Sequence, residues 1–216
     1  MSNDKAIIYV VDDDVAARES VAALADSMGL AYQLYDSAEA FLDTYIPSGT
    51  PGCVVTDLRM VGLSGIELQQ KLKEHDVTLP IVTITAYATT KTAVESMKLG
   101  AVAFLDKGCT EQELWDGIAT GVRASRESIS ERESLSSSRE RLALLNPDEK
   151  KVLDLISRGS ANKQVAAELG ISIRTVEERR RRVMQKLQVG TFAELMRFVV
   201  DAEHANLAQF GVSQQK

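Results

Sequence analysis

The sequence predicts a doubly wound α/β domain with a five-stranded parallel sheet, then a long linker helix and an all-α four-helix domain. Five short apolar segments alternate with helical segments over roughly the first 120 residues. A stretch rich in Ser, Glu and Arg follows, and the remaining segments have only helical periodicity. Parallel strands joined by right-handed helical crossovers make a sheet that is covered on both faces. The predicted domains are residues 1–121, 122–142 and 143–216.

The predicted strands are apolar and rich in β-branched residues, as in a buried parallel sheet. They are Ala6–Val11, Ala31–Tyr35, Cys53–Thr56, Ile81–Thr85 and Val102–Leu105. Helices are predicted between them at Val15–Met28, Ala38–Tyr45, Ile66–Glu74 and Lys91–Leu99, and a further helix begins at Glu111. Gly29 and Gly100 stand where helix-ending glycines belong. Ser37 and Thr110 stand where N-cap residues belong, which supports these helix starts.

Residues 122–142 are interpreted as a helical linker. Its sparse apolar residues recur at intervals of seven, six and seven, close to a heptad, at Val122, Ile129, Leu135 and Leu142. This spacing predicts a helix that extends the preceding one and can pair with a second copy of the chain. The alternative is a solvated, flexible linker, because the segment is otherwise polar.

The last domain is predicted to contain four short helices. Pro147 occupies a first-turn position in the first of them, and Gly159 ends it. The other three are Lys163–Leu169, Ile173–Leu187 and Phe192–Ala202. The turn Leu169–Ser172 contains Gly170 and joins two helices, which is typical of a helix-turn-helix. Its second helix would lie in the major groove of DNA.

The charge distribution separates the two halves of the chain. Residues 1–141 carry 13 Lys+Arg and 22 Asp+Glu, a net charge of −9, whereas residues 142–216 carry 12 and 9, a net charge of +3. Such asymmetry favours a nucleic-acid-binding module joined to a different one. No apolar run approaches the ~20 residues that cross a bilayer. Cys53 and Cys109 lack metal-site spacing, so a cytoplasmic protein without membrane attachment is expected.

Charged and polar residues follow the predicted strands directly. Asp12, Asp13 and Asp14 follow the first strand, Asp57 the third and Lys107 the fifth, while Thr85 ends the fourth. In a doubly wound sheet these positions meet at the carboxyl edge, where ligands bind. Clustered carboxylates need a cation, and their oxygens suit Mg²⁺.

Each of these residue types has a chemical task in phosphoryl transfer. Asp57 would attack phosphorus, Lys107 would offset the charge of a phosphoryl oxygen, and the Thr85 hydroxyl would donate to another. The plainer alternative is that such acidic residues only cap the following helices, as we expect for Asp14. Four suitable positions at strand ends, in the right order, favour the chemical interpretation.

These segments resemble the flavodoxin-like receiver domain of two-component response regulators over roughly residues 5–121. The similar segments are Val11–Asp14, Thr56–Met60, Leu63–Gly65, Thr85–Ala86 and Phe104–Lys107. The resemblance implies that Asp57 is the phosphoacceptor and that a histidine kinase is the donor. It also implies a Mg²⁺ site made by Asp12 (through water), Asp13, Asp57 and the backbone carbonyl of Arg59. Thr85 and Phe104 would form the switch pair.

Two positions depart from the family pattern. The family usually has proline where Val61 stands, and a second proline, after a cis peptide, where Gly108 stands. A cis bond is costly without proline. The sequence therefore does not determine the position of the Lys107 amine, whereas the nucleophile and the metal ligands are intact.

The C-terminal segment from about residue 143 to 204 resembles the LuxR-type helix-turn-helix. The similarity lies in Gln164–Ser172, Arg174–Glu177 and Val183–Leu187. It implies that Glu177, Glu178 and Arg181 face the bases. Residues implied to approach phosphates are Lys163, Arg174, Thr175 and Lys186. The family often has an apolar residue at Glu178 and histidine at Arg179, so its base preference does not transfer.

Together the two domains are similar to the NarL/FixJ class of response regulators. We expect a transcription regulator, not an enzyme, in which phosphorylation of Asp57 favours a homodimer that binds double-stranded DNA. One alternative is a constitutive DNA-binding protein whose receiver does not use phosphate. Another is an enzyme that hydrolyses a metabolite through an aspartyl phosphate, which the lack of a substrate-binding insertion disfavours.

Overall fold

A computed structural model describes the backbone of residues 6–210 and the side chains of residues 6–202. The predicted domains 1–121 and 143–216 therefore include some residues outside the described part of the chain, namely 1–5 and 211–216. Contacts divide the chain into two compact units, Met1–Ser130 and Glu131–Lys216. The division falls inside the predicted linker 122–142, and the predicted domain limits stay predictions.

The first unit is built on a parallel five-stranded sheet in the order β2-β1-β3-β4-β5. The strands are β1 (Ile7–Val11), β2 (Ala31–Tyr35), β3 (Gly52–Thr56), β4 (Ile81–Thr85) and β5 (Ala103–Asp106). The helices that follow them in the chain are α1 (Val15–Ser27), α2 (Ala38–Thr44), α3 (Gly65–Glu74), α4 (Thr90–Leu99) and α5 (Glu111–Ala143). The order reverses between β1 and β3, so a crevice is expected outside their carboxyl ends. The predicted fold class is confirmed.

Two apolar cores cover the faces of the sheet. On one face, Val21 and Leu24 of α1 and Ile118 of α5 pack against strand residues such as Val10. On the other, Phe41 of α2 is fully buried in a cluster with Leu68 of α3, and tyrosine rings from β1 and β2 contact it. These cores fix the strand ends, and therefore the loops that carry the polar residues.

The start of β3 differs from the prediction by one residue. The strand begins at Gly52, and a Cβ there would lie 2.3 Å from the carbonyl oxygen of Ile7. The Gly52 N–H donates to the Oγ atom of buried Ser125 in α5, at 3.1 Å. This close approach requires glycine, and a sequence window cannot show it because the contacts come from distant segments.

The segment after residue 121 is helical, since α5 continues without a break from Glu111 to Ala143. Two of the four apolar residues in its predicted stripe pack against the core of their own unit. Val122 is buried in the core of the first unit, and Leu142 packs against the core of the second. Only Ile129 and Leu135 remain from the stripe, and both are already half-buried.

The second unit contains, after the end of α5, four helices around one apolar core. They are α6 (Pro147–Ser157), α7 (Asn162–Leu169), α8 (Ile173–Leu187) and α9 (Phe192–Phe210). The predicted four-helix arrangement is confirmed, although α9 extends beyond the predicted end at Ala202. Asn146 and Glu149 form a capping box at the start of α6, which fixes its first turn.

Candidate functional site

Three carboxylates meet at the carboxyl edge of the sheet. Asp12 and Asp13 follow β1, and Asp57 follows β3, its neighbour in the sheet. Oxygen atoms of the three side chains lie within 4.8 Å of one another. The Asp57 N–H donates to the carbonyl oxygen of Val11 at 3.1 Å, which continues the strand ladder to the site. The structure thus brings together the acidic residues that the sequence singled out.

The Lys107 amine lies between two of these carboxylates. Its Nζ atom is 2.7 Å from Oδ2 of Asp12 and 3.0 Å from Oδ2 of Asp57. The Lys107 N–H donates to the carbonyl oxygen of Thr85 at 3.0 Å, and the Gly108 N–H donates to Oδ1 of Asp106 at 2.8 Å. The peptide between Lys107 and Gly108 is trans. These contacts settle the amine position that the sequence left open.

Burial and neighbouring charges have opposite effects on the pKa values of Asp12 and Lys107. Asp12 and Asp57 are only 3% and 6% exposed. Burial raises the pKa of Asp12, while the hydrogen bond from Lys107 opposes the rise. Burial alone would lower the pKa of Lys107, but its hydrogen bonds to Asp12 and Asp57 outweigh this and raise the pKa. One ammonium therefore faces three carboxylates, and the excess negative charge suits a small divalent cation with oxygen ligands.

The loop between β3 and α3 closes one side of the cluster. The Arg59 N–H donates to Oδ1 of Asp57 at 3.3 Å, and the Val61 N–H donates to Oδ2 of Asp13 at 2.9 Å. Further along, the Leu63 N–H donates to Oε1 of Glu39 in α2, at 2.8 Å. Sequence reasoning missed Glu39, since an acidic residue in the first turn of a helix is common for local reasons.

The predicted switch residues lie on neighbouring strands. Thr85 is fully buried, and its Oγ1 atom accepts a hydrogen bond from the Tyr87 N–H at 3.3 Å. Phe104 is half-buried and pairs with Thr83, two residues before Thr85. Because paired residues on parallel strands share a face, Phe104 and Thr85 leave the same side of the sheet. Their roles as a switch remain a prediction.

In the second unit, a short turn between α7 and α8 forms the helix-turn-helix, and the residues at the helix ends fix this turn. Gly170 ends α7 in the left-handed conformation with φ of 64°, and Ser172 caps α8. Val176, Val183 and Leu187 form the buried stripe of α8. The opposite faces of this helix therefore present its charged residues to solvent.

Many charged residues of α8 have partners inside the unit. Lys186 Nζ is 2.6 Å from Oε2 of Glu149 and 3.1 Å from the carbonyl oxygen of Leu144. The other internal pairs are Arg179 with Asp148, Arg180 with Asn162, and Arg182 with Glu178. Lys186 and Glu178, both predicted DNA contacts, are thus engaged within the protein.

Other predicted DNA contacts are available to a ligand. Lys163, Arg174, Glu177 and Arg181 are exposed. Thr175 is half-buried, and its hydroxyl forms a 2.8 Å hydrogen bond with Ser172. Arg181 has no hydrogen bond or ion pair to any described residue. The set of DNA contacts remains a prediction. Within it, the exposed residues can reach DNA directly, whereas Lys186 and Glu178 are already paired within the unit.

Comparison with known proteins finds a match to a different family model in each half of the chain. The family model of the response regulator receiver domain matches residues 8–119. The model of the luxR family of bacterial regulatory proteins matches residues 143–199. Within the described residues, no helix is both long and apolar enough to cross a lipid bilayer.

Individual relatives cover nearly the whole chain. The transcriptional regulatory protein FixJ of Bradyrhizobium diazoefficiens is 40% identical over 202 residues, which cover 94% of this chain and 98% of that protein. The transcriptional regulatory protein TdiR of Thauera aromatica is 37% identical, with coverage of 89% and 85%. The solved structure of the response regulator StyR superposes with a TM-score of 0.83 at 40% identity, over 90% of this chain and 98% of that one.

Proposed function

Since this chain belongs to the response regulators of the NarL/FixJ class, we propose that Asp57 accepts a phosphoryl group and that this reaction controls DNA binding. One observation carries the proposal. The buried Asp57 carboxylate lies 3.0 Å from the Lys107 amine, within a cluster that also holds Asp12 and Asp13. A carboxylate with an adjacent cation and a site for a metal is equipped to attack phosphorus.

The proposed reaction moves a phosphoryl group from a histidine kinase to this chain. An Asp57 oxygen forms a bond to phosphorus as the bond between phosphorus and the donor imidazole nitrogen breaks. The product is an acyl phosphate, and the imidazole leaves with its electron pair. Lys107 binds a phosphoryl oxygen through its ammonium, and Thr85 donates its hydroxyl to another.

The acidic cluster fits Mg²⁺ because its excess charge and oxygen donors match the preference of that ion. Asp13, Asp57 and the backbone carbonyl of Arg59 would hold the ion, with Asp12 acting through water. When bound, Mg²⁺ supplies positive charge that offsets the charge of the phosphoryl oxygens. Asp12 also holds the Lys107 amine at 2.7 Å, which positions that cation beside Asp57.

The proposed output is a homodimer that binds two DNA half-sites. Exposed apolar residues on α4, Val94 and Met97, offer a contact surface beside β5. The α5 stripe is a weaker dimer surface, since Val122 and Leu142 pack within their own units. A ~100-fold shift in the monomer–dimer population requires about 2.7 kcal/mol. A DNA partner implies that the protein acts in the bacterial cytoplasm.

The test compares mass and DNA binding with and without acetyl phosphate and Mg²⁺. The wild-type chain should gain one phosphoryl group, dimerise and bind DNA more tightly. The Asp57→Asn variant should do none of these, whereas Asp43→Asn, which changes an exposed aspartate of α2, should behave as wild type. Equal dimerisation and DNA binding by the Asp57→Asn variant would show instead a constitutive regulator and refute the proposal.

A further inference from the structure

We propose that the backbone N–H of Val61 positions Asp13 and thereby strengthens binding of a divalent cation at the acidic cluster. This inference rests on the proposed function of that cluster. The bond runs from Val61 N to Oδ2 of Asp13 and measures 2.9 Å. The residue acts through Asp13 and does not itself contact the phosphoryl group or the metal.

Asp13 is the least restrained of the three carboxylates. Lys107 binds Asp12 and Asp57, whereas Asp13 is exposed and forms no ion pair with any described residue. A free side chain loses rotamer entropy when it binds a metal. The Val61 N–H restrains one oxygen in advance and leaves Oδ1 of Asp13 available as a ligand.

The same bond connects the two loops that carry the predicted metal ligands. Asp13 lies in the loop after β1, and Arg59 and Val61 lie in the loop after β3. The second loop is attached to Asp57 through the Arg59 N–H and to Glu39 through the Leu63 N–H. Val61 lies between these attachments, so its bond to Asp13 fixes the distance between the ligand-bearing loops.

The donor exists because this chain departs from its family at this position. A proline, which the family usually has there, carries no N–H and cannot form the bond. The Val61 side chain is 82% exposed, so its replacement disturbs little packing. The contribution of Val61 is therefore expected to come from its backbone, and two substitutions can separate backbone from side chain.

The experiment measures Mg²⁺ affinity by titration calorimetry on the full chain. Val61→Ala keeps the N–H and should bind Mg²⁺ as the wild type does. Val61→Pro removes it and should bind about tenfold more weakly, the lower end of the usual effect of a group that orients a metal ligand. Urea unfolding of both variants establishes that they are folded. If proline prevents folding, an ester in place of the 60–61 amide removes the N–H without changing the side chain.

A double-mutant cycle with Asp13→Ala provides the second measurement. In that background the Val61→Pro and Val61→Ala variants should bind Mg²⁺ equally, since the acceptor is gone. Equal affinity of these two variants with Asp13 intact would overturn this inference alone. No Mg²⁺ binding and no phosphorylation in the wild-type chain would overturn the proposed function as well.

Discussion

The guanidinium carbon of Arg59 lies 4.2 Å from the centre of the Tyr87 ring, within the range of a cation–π contact. Arg59 lies two residues after Asp57, and Tyr87 lies two residues after Thr85. Both side chains are exposed, so the contact joins two surface loops at the carboxyl edge of the sheet. The pair therefore restrains the loops on either side of the proposed phosphorylation site.

Loss of this contact should shorten the lifetime of phosphorylated Asp57. An exposed cation–π contact contributes about 0.5–1 kcal/mol, so Tyr87→Ala should accelerate hydrolysis roughly two- to fivefold by loosening both loops. Tyr87→Phe keeps the ring and should behave as the wild type. The measurement follows the loss of the acyl phosphate with time on phosphate-affinity gels. Equal decay rates for the two variants would show that the ring has no such role.

A buried polar group in the first unit leads to a stability prediction. Gln69 Nε2 donates to Thr83 Oγ1 and Ser96 Oγ, each at 2.9 Å, while its buried Oε1 has no partner among the described residues. Gln69→Leu removes this unpaired acceptor and puts an apolar side chain of similar volume in its place. The hydrogen bond between the Thr83 and Ser96 hydroxyls remains. We therefore expect this substitution to change the free energy of unfolding by less than about 1 kcal/mol.

The matched control for that substitution is Gln69→Ala, which leaves a cavity. It should lower the free energy of unfolding by about 2–3 kcal/mol, as truncation of a buried side chain usually does. Urea unfolding monitored by circular dichroism measures both variants. A large loss in the Gln69→Leu variant would show that the amide contributes more than its side-chain volume.

The sequence predicted the fold and the acidic site for one physical reason. Alternation of apolar strands and amphipathic helices determines a parallel sheet, and all strands of such a sheet end at one edge. Residues directly after strands, such as Asp12, Asp57 and Lys107, were therefore predictable as neighbours. Which of these residues lie next to one another depends only on the order of the strands in the sheet. Local periodicity and right-handed crossovers leave few possible orders.

The remaining features depend on contacts between distant segments. The resemblance to the LuxR-type helix-turn-helix implied that Lys186 approaches a DNA phosphate, yet Glu149, 37 residues away, binds it. The contact between Val61 and Asp13 spans 48 residues and uses a backbone donor. Neither leaves a periodic signal in the sequence, since loop conformation decides which polar groups meet.

The pair formed by Glu149 and Lys186 predicts a pH dependence of stability. The hydrogen bond from Lys186 holds the pKa of the buried Glu149 carboxyl below its ordinary value of 4.5. The folded state therefore favours the ionised carboxylate, which contributes stability above about pH 4.5. This contribution is lost as the pH falls from there through the lower pKa of the folded state.

Thermal unfolding of the full chain at a series of pH values tests this dependence. Glu149→Gln should lower the free energy of unfolding by about 2 kcal/mol near neutral pH, and the difference from wild type should shrink below about pH 4.5. Glu168→Gln, which changes an exposed glutamate, should have no such effect. A wild-type advantage over Glu149→Gln that is constant with pH would contradict the assignment.

Among the four consecutive arginines of α8, Arg181 is predicted to make the largest contribution to DNA binding. Arg179, Arg180 and Arg182 bind Asp148, Asn162 and Glu178 within the unit. Arg181 is exposed and has no such partner among the described residues, so it can bind DNA without breaking an internal contact. Arg181→Ala should cost about 1–3 kcal/mol of binding free energy if the side chain contacts a base.

The matched variant is Arg182→Ala, which removes an arginine already paired with Glu178 in the same helix. It should weaken binding less, since forming a DNA contact there would first require loss of that pair. The two variants can be compared on DNA fragments enriched from a random pool by the phosphorylated wild-type chain, over a range of salt concentrations. If Arg181 contacts a phosphate instead of a base, its variant should bind all sequences more weakly. The slope of the logarithm of the binding constant against the logarithm of salt concentration should then be smaller by about one. Equal losses for both variants at every salt concentration would show that internal pairing does not determine which arginine contacts DNA.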